Sequence, residues 1–110
     1  MITKKQLQNY REYKRALKYY DQKLAEGADP RDLQSTRGRH AQLIAHIEHV
    51  VAGLTDPAEQ MLIRLRYLEG HSWTKVGFIM HYSKSSLQRI HKQALQHIEQ
   101  SGLLTEEGET

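Results

Sequence analysis

The apolar residues of this chain recur at intervals of three, four and seven, and that spacing limits it to helices. From about Thr3 to Glu26, Leu7, Tyr10, Leu17 and Leu24, with Tyr13 and Tyr20 between them, form one stripe close to a heptad. No glycine or proline interrupts the stripe before Gly27. Nowhere does a convincing alternation of apolar and polar residues mark a half-buried strand. Apolar residues are also scarce, at 38% of 110 residues with a mean hydropathy of −0.74. Such a composition suits slender, water-facing helices. With 2 prolines, 7 glycines and 1 phenylalanine it argues against a β-sandwich. The chain reads as an all-α fold of ordinary single-domain size.

Local signals divide the helices. Gly27-Ala28-Asp29-Pro30 ends the first, because glycine suits a left-handed cap and proline bars continuation. A second helix is predicted from about Ser35 to Gly53, with Leu43, Ile44, Ile47, Val50, Val51 and Leu54 on one face. Pro30-Arg31-Asp32 offers a separate short turn before it, and Gly38 weakens its start. Residues 1–53 thus form an antiparallel helical hairpin. Residues 54–100 form a second, three-helix unit. It opens at Asp56 as N-cap, Pro57 in the first turn and Glu59 three residues after the cap. That helix is expected to carry Met61, Leu62, Leu65 and Leu68 inward and to stop near Gly70. Ser72 caps a short helix holding Trp73, Val76, Ile79 and Met80. His81-Tyr82 makes a turn, and Ser83 caps a last helix that buries Leu87, Ile90, Ala94, Leu95 and Ile98. Residues 101–110 read as a frayed acidic tail.

The formal charge is +3, which permits nucleic-acid binding without establishing it. Its distribution says more. The first helix sets Lys4, Lys5, Arg11, Lys14, Arg15, Lys18 and Lys23 against Glu12, Asp21 and Glu26, a net +4. His71 to Ile98 holds Lys75, Lys84, Arg89 and Lys92 and no carboxylate, another +4. The middle is close to neutral and the end is acidic. Zero cysteines exclude a disulfide scaffold and any Cys-based zinc site. No run approaches the roughly 18 apolar residues of a membrane span, and Met-Ile-Thr-Lys-Lys leads into polar sequence rather than an apolar leader.

The segment from Trp73 to Ile98 has the layout of a helix-turn-helix. In that motif the first helix needs apolar anchors, which Val76, Ile79 and Met80 supply. The second needs an unobstructed N-terminus to enter the major groove, which Lys84, Ser85 and Ser86 allow. Its outer face needs cationic and hydrogen-bonding side chains, here Gln88, Arg89, Lys92 and Gln93. Arginine can grip guanine bidentately and glutamine can pair with adenine. The helix N-terminus can also receive a phosphate. Lys75 and Tyr82 complete the candidate DNA-binding set, Tyr82 either donating to a phosphate or packing. Trp73 reads as a core plug or a backbone contact. Arg64 and Arg66 could reach a phosphate or pair with Glu59 or Glu69. A solvated basic face on a plain hairpin is the alternative to the whole motif.

The stretch Leu62-Ile63-Arg64-Leu65-Arg66-Tyr67-Leu68-Glu69-Gly70-His71-Ser72-Trp73, followed by Val76, Ile79, Ser83, Leu87 and Ala94, resembles region 4 of the sigma-70 factors. With a helical extension on a chain this short, it is similar to the phage-encoded ArpU/RinA group of late-gene transcriptional regulators. The resemblance covers about 54 to 98. It implies major-groove binding of double-stranded DNA, control of transcription and a place in the bacterial cytoplasm, while the +4 outer face of the first helix could lie along DNA or contact host RNA polymerase. Gly77 stands where the family usually has alanine, and His81 where the turn usually has glycine. Histidine tolerates a left-handed backbone better than most residues.

Leu7, Tyr10, Leu17 and Leu24 offer a seam for a homo-oligomer, and a dimer would place two recognition helices on half-sites roughly 34 Å apart. The alternative packs that stripe on the second helix of the same chain. A DNA-packaging protein like a terminase small subunit, or a helical adaptor for a protein partner, are the other readings of the whole chain. No metal, cofactor or small-molecule substrate is expected. His46 and His49 lie three apart with His40 upstream, but scattered histidines explain them better than a site needing three or four ligands. His91 or His97 could titrate near phosphates. Catalysis has no support: Ser83 to Ser86, near His81 and His91, sit where helix capping explains them.

Overall fold

The computed structural model describes residues 2–100 and 104–105. Thr3 and Gln6 begin the first helix, α1 (Lys4–Gln8), with a reciprocal capping box. The Gln6 amide donates to Thr3 Oγ1 at 3.0 Å, and the Thr3 amide donates to Gln6 Oε1 at 2.9 Å. Asn9 then leaves helical torsions at ψ 10°, so the single helix expected from Thr3 to Glu26 is two: α1 and α2 (Tyr10–Ala25). Asparagine competes for backbone hydrogen bonds and suits such a break.

Gly27 ends α2 as expected, at φ 100°, with the Ala28 amide donating to the Lys23 carbonyl at 3.0 Å. The next helix differs from expectation. α3 (Pro30–Ala52) begins at Pro30 rather than Ser35, because Asp29 caps it by accepting from the Arg31 amide at 2.9 Å. The helix runs through Gly38, where open space surrounds the missing Cβ.

α2 and α3 pack as the expected hairpin. Arg37 reaches Asp21 at 2.6 Å across it, Tyr10 donates its hydroxyl to Glu48, and the His40 ring sits 5.6 and 5.7 Å from the rings of Tyr13 and Tyr20. The His40 Nδ1 also meets the Thr36 carbonyl at 3.0 Å. The stripe offered for oligomerisation serves this packing. Leu7 and Tyr10 are buried in the chain's own core, Leu17 packs against it and Leu24 is half-buried. A dimer seam through Leu7 and Tyr10 is therefore unavailable without opening the monomer.

α4 (Pro57–Ile63) starts at Asp56, which accepts from the amides of Ala58 and Glu59 at 2.8 and 3.3 Å. Gln60 turns back and donates to the Ala52 carbonyl at 3.2 Å, satisfying one orphan carbonyl at the end of α3. From Arg64 to Leu68 the helix widens to a π-turn, closed by the Glu69 amide on the Arg64 carbonyl at 2.8 Å. Leu65 and Tyr67 are both buried there, since α2 packs on the turn and so does α5 (Trp73–Met80). Ile63 is buried while Met61, expected inward, is 49% exposed. α6 (Lys84–Gln100) lies across α4 and α5.

One core runs through all six helices, from Ile2 and Leu7 through Ile47, Val51 and Leu62 to Ile98. The expected hairpin and three-helix units therefore share it, and 53–54 is a joint rather than a gap. Among the described residues the only strand pairing is a two-residue parallel one of β1 (Ile2–Thr3) with β2 (Leu104–Thr105). It falls within the stretch read as a frayed tail; positions 101–103 and 106–110 of that stretch lie outside the described residues. No helix among the described residues is long and apolar enough to cross a membrane.

Candidate nucleic-acid interface

The capped layout of α5 and α6 forms as the local signals predict. Ser72 accepts from the Lys75 amide at 3.1 Å and starts α5. His81 ends it in the left-handed region at φ 61°, ψ 40°. The Tyr82 amide donates to the Gly77 carbonyl at 3.1 Å, a Schellman-type closure. Gly77 is used for closeness. A Cβ there would lie 3.1 Å from the Tyr82 carbonyl oxygen and 3.2 Å from Leu87 Cδ1, so its absence lets the turn and α6 sit tight on α5.

Ser83 caps α6 by accepting from the Ser86 amide at 3.3 Å. Its hydroxyl also meets those of Ser85 and Ser86 at 3.3 and 3.1 Å. Leu87, Ile90, Ala94 and Ile98 face the core. The remaining arc of α6 is polar. Lys84, Ser85, Gln88, Arg89, Lys92 and Gln93 are all exposed, as are Lys75 on α5 and Tyr82 in the turn. Ser86 is half-buried and occupied by the cap, which leaves it the least available of the expected set. At about 100° per residue, Arg89, Lys92 and Ser85 point away from the core, with Lys84 and Gln88 at one edge of the arc and Gln93 at the other. Among the described residues no ion pair engages Lys75, Lys84, Arg89 or Lys92.

An aromatic cluster locks α5 and α6 to the π-turn. The Trp73 ring is half-buried, with the Arg66 guanidinium 4.9 Å from its centre and the His91 ring edge-on at 4.9 Å. Trp73 thus packs as a plug, and Arg66 stacks on it and donates to the His71 carbonyl at 3.0 Å. The carboxylates weighed as partners for Arg64 and Arg66 are taken by histidines. Glu69 meets His71 at 3.1 Å, and Glu59, only 2% exposed, meets His97 at 2.7 Å. His97 is therefore tied to α4, far along α6 from its entering end.

Tyr67 and His91 meet at 2.6 Å, hydroxyl to Nε2. Burial raises the Tyr67 hydroxyl above its usual range, so it keeps its proton. Burial first, and then the charges of Lys4 and Arg66, lower His91 below the ordinary 6.5. The unfolded chain therefore takes up a proton that folded His91 refuses. Stability contributed by neutral His91 is complete above about pH 6.5 and is lost as pH falls from there toward its folded pKa. In urea melts between pH 7.5 and 5.5 the parent should lose more stability than His91→Gln; parallel pH slopes would contradict this.

Sequence reasoning missed a cleft beside this cluster. It has a volume of about 490 Å³ and lies between the N-terminal helices and the π-turn, with Lys4, Arg11, Arg15 and Arg66 around it and Glu12 as its one carboxylate. Gly70, at φ 78°, ends the π-turn there, and a Cβ on it would fall 2.3 Å from the Arg11 guanidinium. The signals were present separately, as a +4 helix and a glycine after Arg66-Tyr67, but nothing local joins them. No protein-family model matches the chain, and no curated protein and no solved structure matches it either.

Proposed function

We propose that this chain is a double-stranded DNA-binding regulator of transcription, of the phage ArpU/RinA kind, that enters the major groove with α6. The observation that carries the reading is the polar arc of α6, where Lys84, Gln88, Arg89, Lys92 and Gln93 stand exposed and, among the described residues, unengaged by any ion pair, within a stretch from His71 to Ile98 that has no Asp or Glu. Cations held on a rigid helix with no internal partner keep their full attraction for an outside anion. The reading involves no catalytic step and no cofactor. It makes base contacts of Arg89 and Gln88 and backbone contacts of Lys75, Tyr82, Lys84 and Ser85.

Titration of a labelled random-sequence duplex between 50 and 200 mM salt tests it, those being the concentrations over which counterion release is large. The expected result is a log–log line with a slope of about −0.9 per phosphate neutralised, followed by recovery of a preferred site from a random pool. No measurable affinity at the low-salt end would remove the proposal.

A second reading has its own observation. Phe78 is 77% exposed, at a groove of about 710 Å³ also lined by Trp73, Thr74, Tyr82 and Leu87. An exposed aromatic beside an apolar groove fits a protein partner. Salt-independent absence of duplex binding would favour that adaptor reading.

A further inference from the structure

The cleft between α1–α2 and the π-turn gathers cationic charge that the described residues leave largely unopposed. Lys4, Arg11, Arg15 and Arg66 face one space with only Glu12 opposing them. Among the described residues none of the four cations has an ion pair. Like charges held together in one concavity repel, and an anion entering would relieve all of them at once. The cleft is also shaped to present them. Gly70 leaves room for the Arg11 side chain to lie over the end of the π-turn, and Arg66 is braced on Trp73.

The cleft adjoins the face that carries the proposed function. Trp73 and His91 line it, and both also line the groove that reaches Lys84 and Gln88 on α6. Lys84, Gln88 and His91 follow one another at i, i+4 and i+7 along α6, so three polar side chains edge the otherwise apolar groove as a track from the entering end of that helix to the cationic cleft. A DNA strand bordering the major groove is a line of phosphates that could follow this track.

We propose that the cleft of Lys4, Arg11, Arg15 and Arg66 binds a backbone phosphate of the same duplex that α6 enters, making the N-terminal helices part of the DNA-binding surface. This rests on the reading of α6 as a DNA-binding helix. Occupancy would cancel the field of Lys4 and Arg66 at His91, whose other charged or titratable neighbours across the cleft are Arg11, Glu12, Arg15 and Tyr67. Duplex binding would then raise the proton affinity of His91 toward its ordinary value.

The test compares the full-length parent with R11Q/R15Q and R11K/R15K. Both arginines are exposed, so circular dichroism should find all three equally helical. The expected result is a duplex salt slope smaller by about 0.9 in R11Q/R15Q, the share of one phosphate, restored in R11K/R15K, with the preferred site unchanged. An unchanged slope in R11Q/R15Q overturns the cleft while leaving DNA binding by α6 intact. If the parent binds no duplex, the reading of α6 fails, and calorimetry with inorganic phosphate then isolates the cleft. Saturable uptake lost in R11Q/R15Q would keep the phosphate site but move its ligand to a free phosphate, and no uptake would end it. A change of preferred site in R11Q/R15Q would also count against a backbone contact.

Discussion

Replacing Leu62 by alanine should cost about 2–5 kcal/mol, the range for deleting a fully buried leucine side chain. Leu62 is completely buried on α4, in a core to which every helix contributes. Surrounding side chains relax only partially into such a void, and the loss is a large share of the roughly 5–15 kcal/mol that holds such a chain folded. A urea melt followed by circular dichroism reads the effect. The midpoint should fall at an unchanged denaturant slope, in one transition, because the hairpin and the α4–α6 unit share the core. Two separated transitions would show that the halves melt independently. Met61→Ala, one residue earlier, should stay within about 0.5 kcal/mol of the parent, since that side chain is half in water.

Arg89→Ala should remove about 1–3 kcal/mol of discrimination at one base pair, the worth of a bidentate contact to guanine. Arg89 lies near the middle of the outward arc of α6, exposed and without an ion pair among the described residues. Its removal should therefore leave the melting midpoint in place, so the effect on DNA separates cleanly from folding. Competition between a selected site and its single-base variants measures it. Preference should flatten at one position and persist at the others, while Lys92→Ala should weaken all sequences alike. If Arg89→Ala discriminates as the parent does, base readout lies elsewhere on α6, with Gln88 the next residue to replace.

Much of the helical layout was legible because its signals are local. Asp56, Ser72 and Ser83 each bond amides two or three residues ahead, and Gly27 and His81 each end a helix by their own torsions. The exposed set on α6 was legible for the same reason: with the buried stripe at Leu87, Ile90, Ala94 and Ile98 known, the polar arc follows from helical geometry. The start of α3 is also a local signal, the Asp29–Pro30 pair, which at sequence level reads equally as the end of the helix before it. The Met61–Ile63 exchange had no such signal. A π-turn changes the register of a face, and it forms here where both α2 and α5 press on the end of the same helix.

The sequence alone thus determined an all-α chain, most of its breaks and the outward face of its last helix, because hydrogen bonds that close within about five residues are set by neighbouring side chains. Only the tertiary structure decided that Leu7 and Tyr10 serve the chain's own core, that Glu59 meets His97, and that Lys4, Arg11, Arg15 and Arg66 line one cleft. Those arrangements join residues dozens of positions apart. They depend on which apolar faces find one another, and a helical period specifies that a face will be buried without specifying against what.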